Sequence, residues 1–168
     1  GAQRPVQRAV VNMNLVWHYA PWATLPQIVA AGALLPGEPG RDGEAPLLWF
    51  SARQDWEPAA TRHVMDSGRP RPMTFLEHRQ RLGCVRFGLP ADDTRLLPWM
   101  DACRAAHMRF TDRRKLEASS RRVGANPLEW SASMEAIALA GLRFQVLADT
   151  WGEGDMSACA RLWTQRRG

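Results

Sequence analysis

Polar side chains that could do chemistry close two short apolar runs in this chain. Leu15-Val16-Trp17 ends in His18 and Tyr19, and Leu47-Leu48-Trp49-Phe50 ends in Ser51, with Arg53 two residues on. Apolar runs of this length read as buried strands. Two such strands would bring their polar ends to the mouth of one cleft with aromatic walls behind, the make-up of a small-molecule site. An isolated histidine is more often a buried residue satisfied by backbone than a functional one, so His18 gains meaning only from this setting. Ser51 lacks the surroundings of a nucleophile elbow and has no assigned base in reach, which favours a polar contact over an attacking group. Arg53 offers a bidentate fork to phosphate oxygens, or is a solvated loop arginine.

Other chemistries find little support. His63, His78 and His107 form no HxxxH or HExxH pair, so a catalytic zinc is not expected. Cys84, Cys103 and Cys159 are odd in number and lack a CxxC spacing, which disfavours a disulfide framework and suits reduced thiols in the cytoplasm. Neither a GxGxxG nor a GxxxxGK[ST] loop is present, so Rossmann and P-loop nucleotide sites are set aside. No apolar run approaches the roughly 20 residues of a membrane span.

The elements that must position these groups follow from pattern. At 168 residues the chain suits one domain with a real core. Residues 1–12 read as a flexible leader or expression remnant and Met13 as a natural start, leaving 13–168 as the domain. Thr24 as N-cap, Pro26 in the first turn and Gly32 as C-terminal cap predict a helix between the two strands. The Gly/Pro-rich loop from Pro36 to Pro46 would be mobile and able to close over a ligand. Asp55 would cap a helix with Trp56, Ala59, Ala60, His63 and Val64 on one face, and Ser67 to Pro72 would be a loop. Cys84 to Leu89 alternates as a half-buried strand, and Trp99, Ala102, Cys103, Ala106 and Phe110 mark an amphipathic helix. A turn at Gly124 to Pro127 precedes a hairpin, with Glu135 to Leu139 as one arm and Leu142 to Ala148 as the other. Met156 to Trp163 suggests a closing helix. The order of elements points to α+β.

Charge adds a partner class. The formal net charge is +5, and Arg113, Arg114, Lys115, Arg121 and Arg122 crowd one exposed segment. Such a balance is compatible with a polyanion without identifying one. Eight tryptophans against one tyrosine supply both core and stacking surface.

His18, then Leu25-Pro26-Gln27-Ile28 with Gly32, then Trp49-Phe50-Ser51, together resemble the nucleotide-binding half of the ADP-ribosyltransferase-like enzymes. Within that superfamily the stretch from His18 to Gly32 is most similar to the DNA-modifying DarT-type toxins. Ser133-Met134-Glu135-Ala136-Ile137 resembles the short [EQ]xE segment that opens a late strand, departing at Ser133. The resemblance, from Met13 to about Trp151, implies a compact α+β fold with split mixed and antiparallel sheets around an NAD cleft, flanked by helices. NAD would be a substrate and no metal would be needed. His18 would hold the adenosine ribose, Tyr19 and Phe50 would be the aromatic supports, and Ser51 and Arg53 would be polar contacts.

Glu135 would then be the acid. Transfer of ADP-ribose passes through an oxocarbenium-like sugar, which a carboxylate stabilises. Glu129, in a loop before the strand, is the other glutamate weighed. Ser133 in place of Glu or Gln leaves the acceptor open, and Arg113, Arg114, Arg121 and Arg122 would guide a DNA or RNA acceptor. RNA phosphotransferases belong to the same superfamily, so that reaction stays open. Readings of a different class are a non-catalytic nucleic-acid-binding module and a nucleotide-sensing module on the same fold.

Overall fold

The computed structural model describes residues 14–38 and 40–166. The leader at 1–12 and Met13 lie outside the described residues. Strand β1 (Leu15–Ala20) ends at Pro21, and one 3₁₀ turn leads into helix α1 (Leu25–Ala31). Gly32 closes α1 at φ 70°, the left-handed backbone that glycine adopts at a helix end. Thr24 does not cap: the turn already holds it in helical backbone, and its hydroxyl bonds back to Pro21 O at 2.7 Å. β2 (Ala33–Leu34), β3 (Leu48–Ser51), β4 (His63–Asp66), β5 (Arg69–Pro72) and α2 (Phe75–Arg81) follow. β6 (Val85–Pro90), β7 (Leu97–Pro98), α3 (Trp99–Ala105) and α4 (Phe110–Arg122) come next. The last elements are β8 (Trp130–Ser133), β9 (Ile137–Ala138), β10 (Arg143–Leu147), β11 (Trp151–Glu153) and α5 (Met156–Gln165).

Helices and antiparallel strands are mixed in an α+β arrangement. Seven strands form one sheet in the order β11-β10-β6-β1-β3-β8-β7, with β2–β9 and β4–β5 as separate pairs. Every described pair is antiparallel, so the parallel component of a mixed sheet is not found among the described residues. Strand alternation sorts the core. Val16, Phe50, Phe87 and Phe144 join Leu25 of α1 and Cys159 of α5 in the main cluster, while Leu15, Trp17 and Tyr19 pack with Trp56 and Cys84 in a second. Gly88 is required where β6 passes Trp17, because a Cβ there would meet the indole at 2.8 Å.

Several sequence expectations are corrected. The helix capped by Asp55 is absent: a 3₁₀ turn at Pro58–Ala60 is followed by β4. β4 turns at Ser67 (φ 50°) and Gly68 (φ 79°) into β5, so the expected loop is half of a hairpin. Two successive positive φ values match the tight hairpin turn that strand twist favours. Phe110 does not extend α3 but opens α4. The late hairpin is also re-paired. β9 joins β2 instead of β10, because a 3₁₀ turn at Leu139–Gly141 separates the arms. Ile137 is thereby buried next to Leu34 in the main core, and β10 pairs with β6 and β11. Glu135 consequently lies in the bend between β8 and β9, not at the start of a strand. β6 is buried on both faces, Arg86 included, where a half-buried strand was expected.

His78 anchors α2 beneath this sheet. It is 0% exposed, its ring centroid is 4.9 Å from that of Trp56, and its Nδ1 lies 3.6 Å from Cys84 Sγ. Burial, helped by the positive charge of Arg62, pulls His78 down to about 4, and burial pushes the Cys84 thiol up to about 12. The pair is therefore a neutral imidazole beside a neutral thiol. An unfolded histidine near 6.5 takes up a proton that the folded one refuses, so stability falls as pH drops from 6.5 towards 4. His78 should contribute a loss of about 2 kcal/mol between about pH 7 and pH 5. Urea unfolding at the two pH values tests this, and His78→Gln should show a visibly shallower dependence.

Candidate functional site

His18 and Tyr19 stand inside β1, which runs on to Ala20, and not, as expected, at its end; because β3 is antiparallel to β1, Ser51 at the end of β3 lies opposite Trp17. β1 holds β6 through six register pairs but β3 through a single one, Trp17 with Ser51. Beyond that pair His18 takes over, its Nδ1 lying 2.7 Å from Trp49 O. A carbonyl can only accept, so Nδ1 carries the hydrogen and Nε2 keeps its lone pair. Burial holds the His18 pKa below its usual value, which keeps this neutral form at pH 7. The imidazole thus does the work of a ladder hydrogen bond while the strands part.

A cavity of about 400 Å³ lies over this opening. From the sheet it is lined by Trp17, His18, Tyr19, Trp49, Phe50, Ser51 and Trp130. The turn from Glu57 to Thr61, with His63 and Pro72 of the hairpin, forms another wall. Leu116, Ser119, Ser120 and Val123 of α4 close the remaining side. The volume lies within the range of small-molecule sites, and the lining is mainly aromatic with a few polar groups.

Glu57 is the acid of this cavity. It is 7% exposed, and its Oε1 accepts from Ser51 Oγ at 2.9 Å and from Trp130 Nε1 at 2.8 Å. Its Oε2 accepts from Ala59 N at 2.8 Å, which caps the 3₁₀ turn. Ser51 therefore has a carboxylate in reach, contrary to expectation, and it also accepts from Arg53 N at 3.2 Å. The signal for Glu57 lies in Trp56-Glu57-Pro58, an acceptor directly before a proline-led turn, which the helical spacing of Trp56, Ala59, Ala60 and His63 masks.

The other expected residues fall in different places. Tyr19 is among the residues that line the cavity, while its hydroxyl donates to Arg53 O and accepts from Arg86 Nη1 at 3.2 Å. Burial pushes the Tyr19 phenol up to about 12, so it stays protonated. Phe50 is buried in the main core, its ring 5.9 Å from that of His18. Arg53 does not line the cavity. Its Nε pairs with Glu129 Oε2 at 3.2 Å and its Nη2 donates to Gly124 O at 2.8 Å. Glu129 is occupied by that pair. Glu135 is exposed and lies outside the cavity lining, its backbone N–H held by Ser133 Oγ at 3.1 Å.

Helix α4 brings the basic segment to the edge of the site. Arg114, Arg121 and Arg122 are exposed, while Arg113 is partly buried and pairs with Glu117 at 3.2 Å. Arg113 and Arg114 both lie against Phe110, with guanidinium carbons 5.1 and 5.7 Å from the ring centroid. The loop expected to close over a ligand is tied to the neighbouring helices instead. Ala45 N bonds Ala106 O, Arg41 pairs with Asp112 at 3.0 Å, and no described residue of that loop lines the cavity.

Among the described residues no group of three or more His, Cys, Asp and Glu is placed to hold a metal ion, and no helix is long and apolar enough to cross a membrane. No protein-family model, curated protein or solved structure matches the chain.

The Glu57 triangle can be tested as structure. Trp130→Phe keeps the ring and removes one donor from a buried carboxylate, and Ser51→Ala removes another. Each should cost about 1–3 kcal/mol in chemical denaturation. A change near zero in both would mean that water replaces the lost donor freely.

Proposed function

We propose that the chain is an NAD-dependent ADP-ribosyltransferase in which the cavity binds NAD and Glu57 meets the reacting sugar. The observation that carries this reading is a buried carboxylate, fixed by Ser51 and Trp130, facing an aromatic cavity at the parted strands that also hold His18. The resemblance to the ADP-ribosyltransferase-like enzymes had put the acid at Glu135, but Glu57 is the glutamate beside the cavity. In the reaction the bond from ribose C1′ to the nicotinamide nitrogen breaks, and its electron pair leaves with neutral nicotinamide. The sugar passes through an oxocarbenium-like state that the fixed anion of Glu57 stabilises without reorganising. A nucleophilic atom of the acceptor then bonds to C1′ and gives up its proton.

His18 presents its Nε2 lone pair as an acceptor for a ribose hydroxyl. Arg53 is engaged by Glu129, so the pyrophosphate passes to Arg62. That residue stands between the lining residues Thr61 and His63, and its positive charge is felt at His18. The acceptor approaches along α4, whose outer face carries Arg114, Arg121 and Arg122 and whose inner face closes the cavity. A DNA or RNA strand suits that face.

Release of nicotinamide from NAD, with and without DNA, RNA or protein, tests the activity. Glu57→Gln should lower turnover at saturating NAD by at least ~100-fold, whereas Glu135→Gln should change it little. A dead Glu135→Gln enzyme with an active Glu57→Gln enzyme would move the acid out of the cavity. NAD binding with no release under any condition would favour the nucleotide-sensing module.

The acceptor role of α4 makes a separate prediction. Neutralising Arg113, Arg114, Arg121 and Arg122 should reduce modification of a nucleic-acid acceptor and flatten its salt dependence, with NAD affinity nearly unchanged. The opposite pattern, lost NAD affinity with acceptor use intact, would reverse the assignment.

A further inference from the structure

We propose that the cavity selects ligands by positive charge: it is a site for a cationic planar ring, held between the Glu57 carboxylate and the indole walls. For NAD this means the oxidised pyridinium form over the uncharged reduced ring. The choice of NAD as the natural ligand rests on the functional reading above, but the cation site itself is argued from the cavity alone.

The first argument is an unbalanced charge. Glu57 is buried and its three hydrogen-bond donors, Ser51 Oγ, Trp130 Nε1 and Ala59 N, are all neutral. No arginine, lysine or histidine forms an ion pair with it among the described residues. Neutral donors satisfy the lone pairs of a carboxylate but leave its net charge in a poorly solvated place. A bound cation would complete it.

The second argument is the walls. Trp17, Tyr19, Trp49 and Trp130 line the same cavity as Glu57. The faces of such rings are electronegative and attract cations, most strongly when water is excluded. The molecule already uses two of these rings in this way: the Arg86 guanidinium carbon lies 4.0 Å from the Trp17 centroid and 5.9 Å from that of Tyr19, which leaves Trp49 and Trp130 as the walls for a bound cation. Arg86 does not neutralise Glu57. Its donors go to Gln145 Oε1, Tyr19 Oη and Gln54 O. The other cation nearby, Arg62, is exposed and forms no ion pair with Glu57 among the described residues.

A neutral ring of the same shape would gain the stacking and lose the charge. That difference can be measured on the unaltered protein with 1-methylnicotinamide, a cation, and nicotinamide, its neutral counterpart. Calorimetric titration should find the cation bound at least ten-fold more tightly, with the preference shrinking to within about two-fold in Glu57→Gln. Equal or weaker binding of the cation to the wild-type protein overturns the proposal, and so does a preference that survives intact in a folded Glu57→Gln variant. If that variant does not fold, the wild-type comparison decides alone. The outcome is separable from the transferase reading. A cation preference without nicotinamide release from NAD removes the enzyme and keeps the site. Nicotinamide release without a cation preference does the reverse.

Discussion

The incomplete pairing of β1 with β3 is the constraint on which the rest of the site depends. A buried strand must satisfy its carbonyls, and a carbonyl left bare by a parting ladder costs on the order of 1–3 kcal/mol. His18 removes that cost at Trp49 O by offering Nδ1–H from a side chain. The opening is confined to one side because β1 is held on its other side by a full ladder to β6. A rigid edge and a parted edge on the same strand give a cavity with fixed walls, and the covering pieces, the turn at 57–61 and α4, need only lie across it.

Two buried charges of opposite sign sit close to this opening, and the fold treats both in the same manner. Glu57 is surrounded by neutral donors, and Arg86 by neutral acceptors and two indole faces. Neither is paired with the other. Fixed dipoles can hold a charge in place without cancelling it, which leaves its field available at the surface it faces. For Arg86 that surface is aromatic packing, with burial drawing its pKa downward. For Glu57 it is the cavity. The same arrangement makes the turn at 57–61 part of the wall, because Glu57 caps it at Ala59 N while reaching Ser51 on β3 and Trp130 on β8.

The basic helix shows how one element serves two environments. Long charged side chains stay on the outer face of α4, where water solvates them, and Leu116, Val123 and the small hydroxyls of Ser119 and Ser120 turn to the cavity. Phe110 at the start of the helix is exposed at 63%, and the guanidinium groups of Arg113 and Arg114 lie against it. Charge and flat apolar surface are thus presented together at the start of the helix.

Much of the scaffold was legible in local pattern. β1, β3, β6, α1 with its Gly32 terminus and α5 follow from apolar runs, alternation, helical spacing and caps, because each of these is decided within a few residues of chain. The two strands that bring His18 next to the Trp49-Phe50-Ser51 run were legible for the same reason, although β1 continues to Ala20 and His18 stands inside it rather than at its end. What local pattern could not decide was any choice between distant partners. Trp56 to Val64 has a helical period, yet a hairpin forms there and Glu57 is drawn to Ser51 and Trp130. Ile137 could pair forward with β10, yet β2 takes its strand and Glu135 is left in a bend. Arg53 could be free, yet Glu129, 76 residues away, holds it. The amino-acid sequence by itself determined β1, β3, β6, α1 and α5, whose patterns are decided locally. Only the tertiary structure decided which carboxylate faces the cavity, because that depends on hydrogen-bond donors supplied from β3 and β8, far apart in the chain.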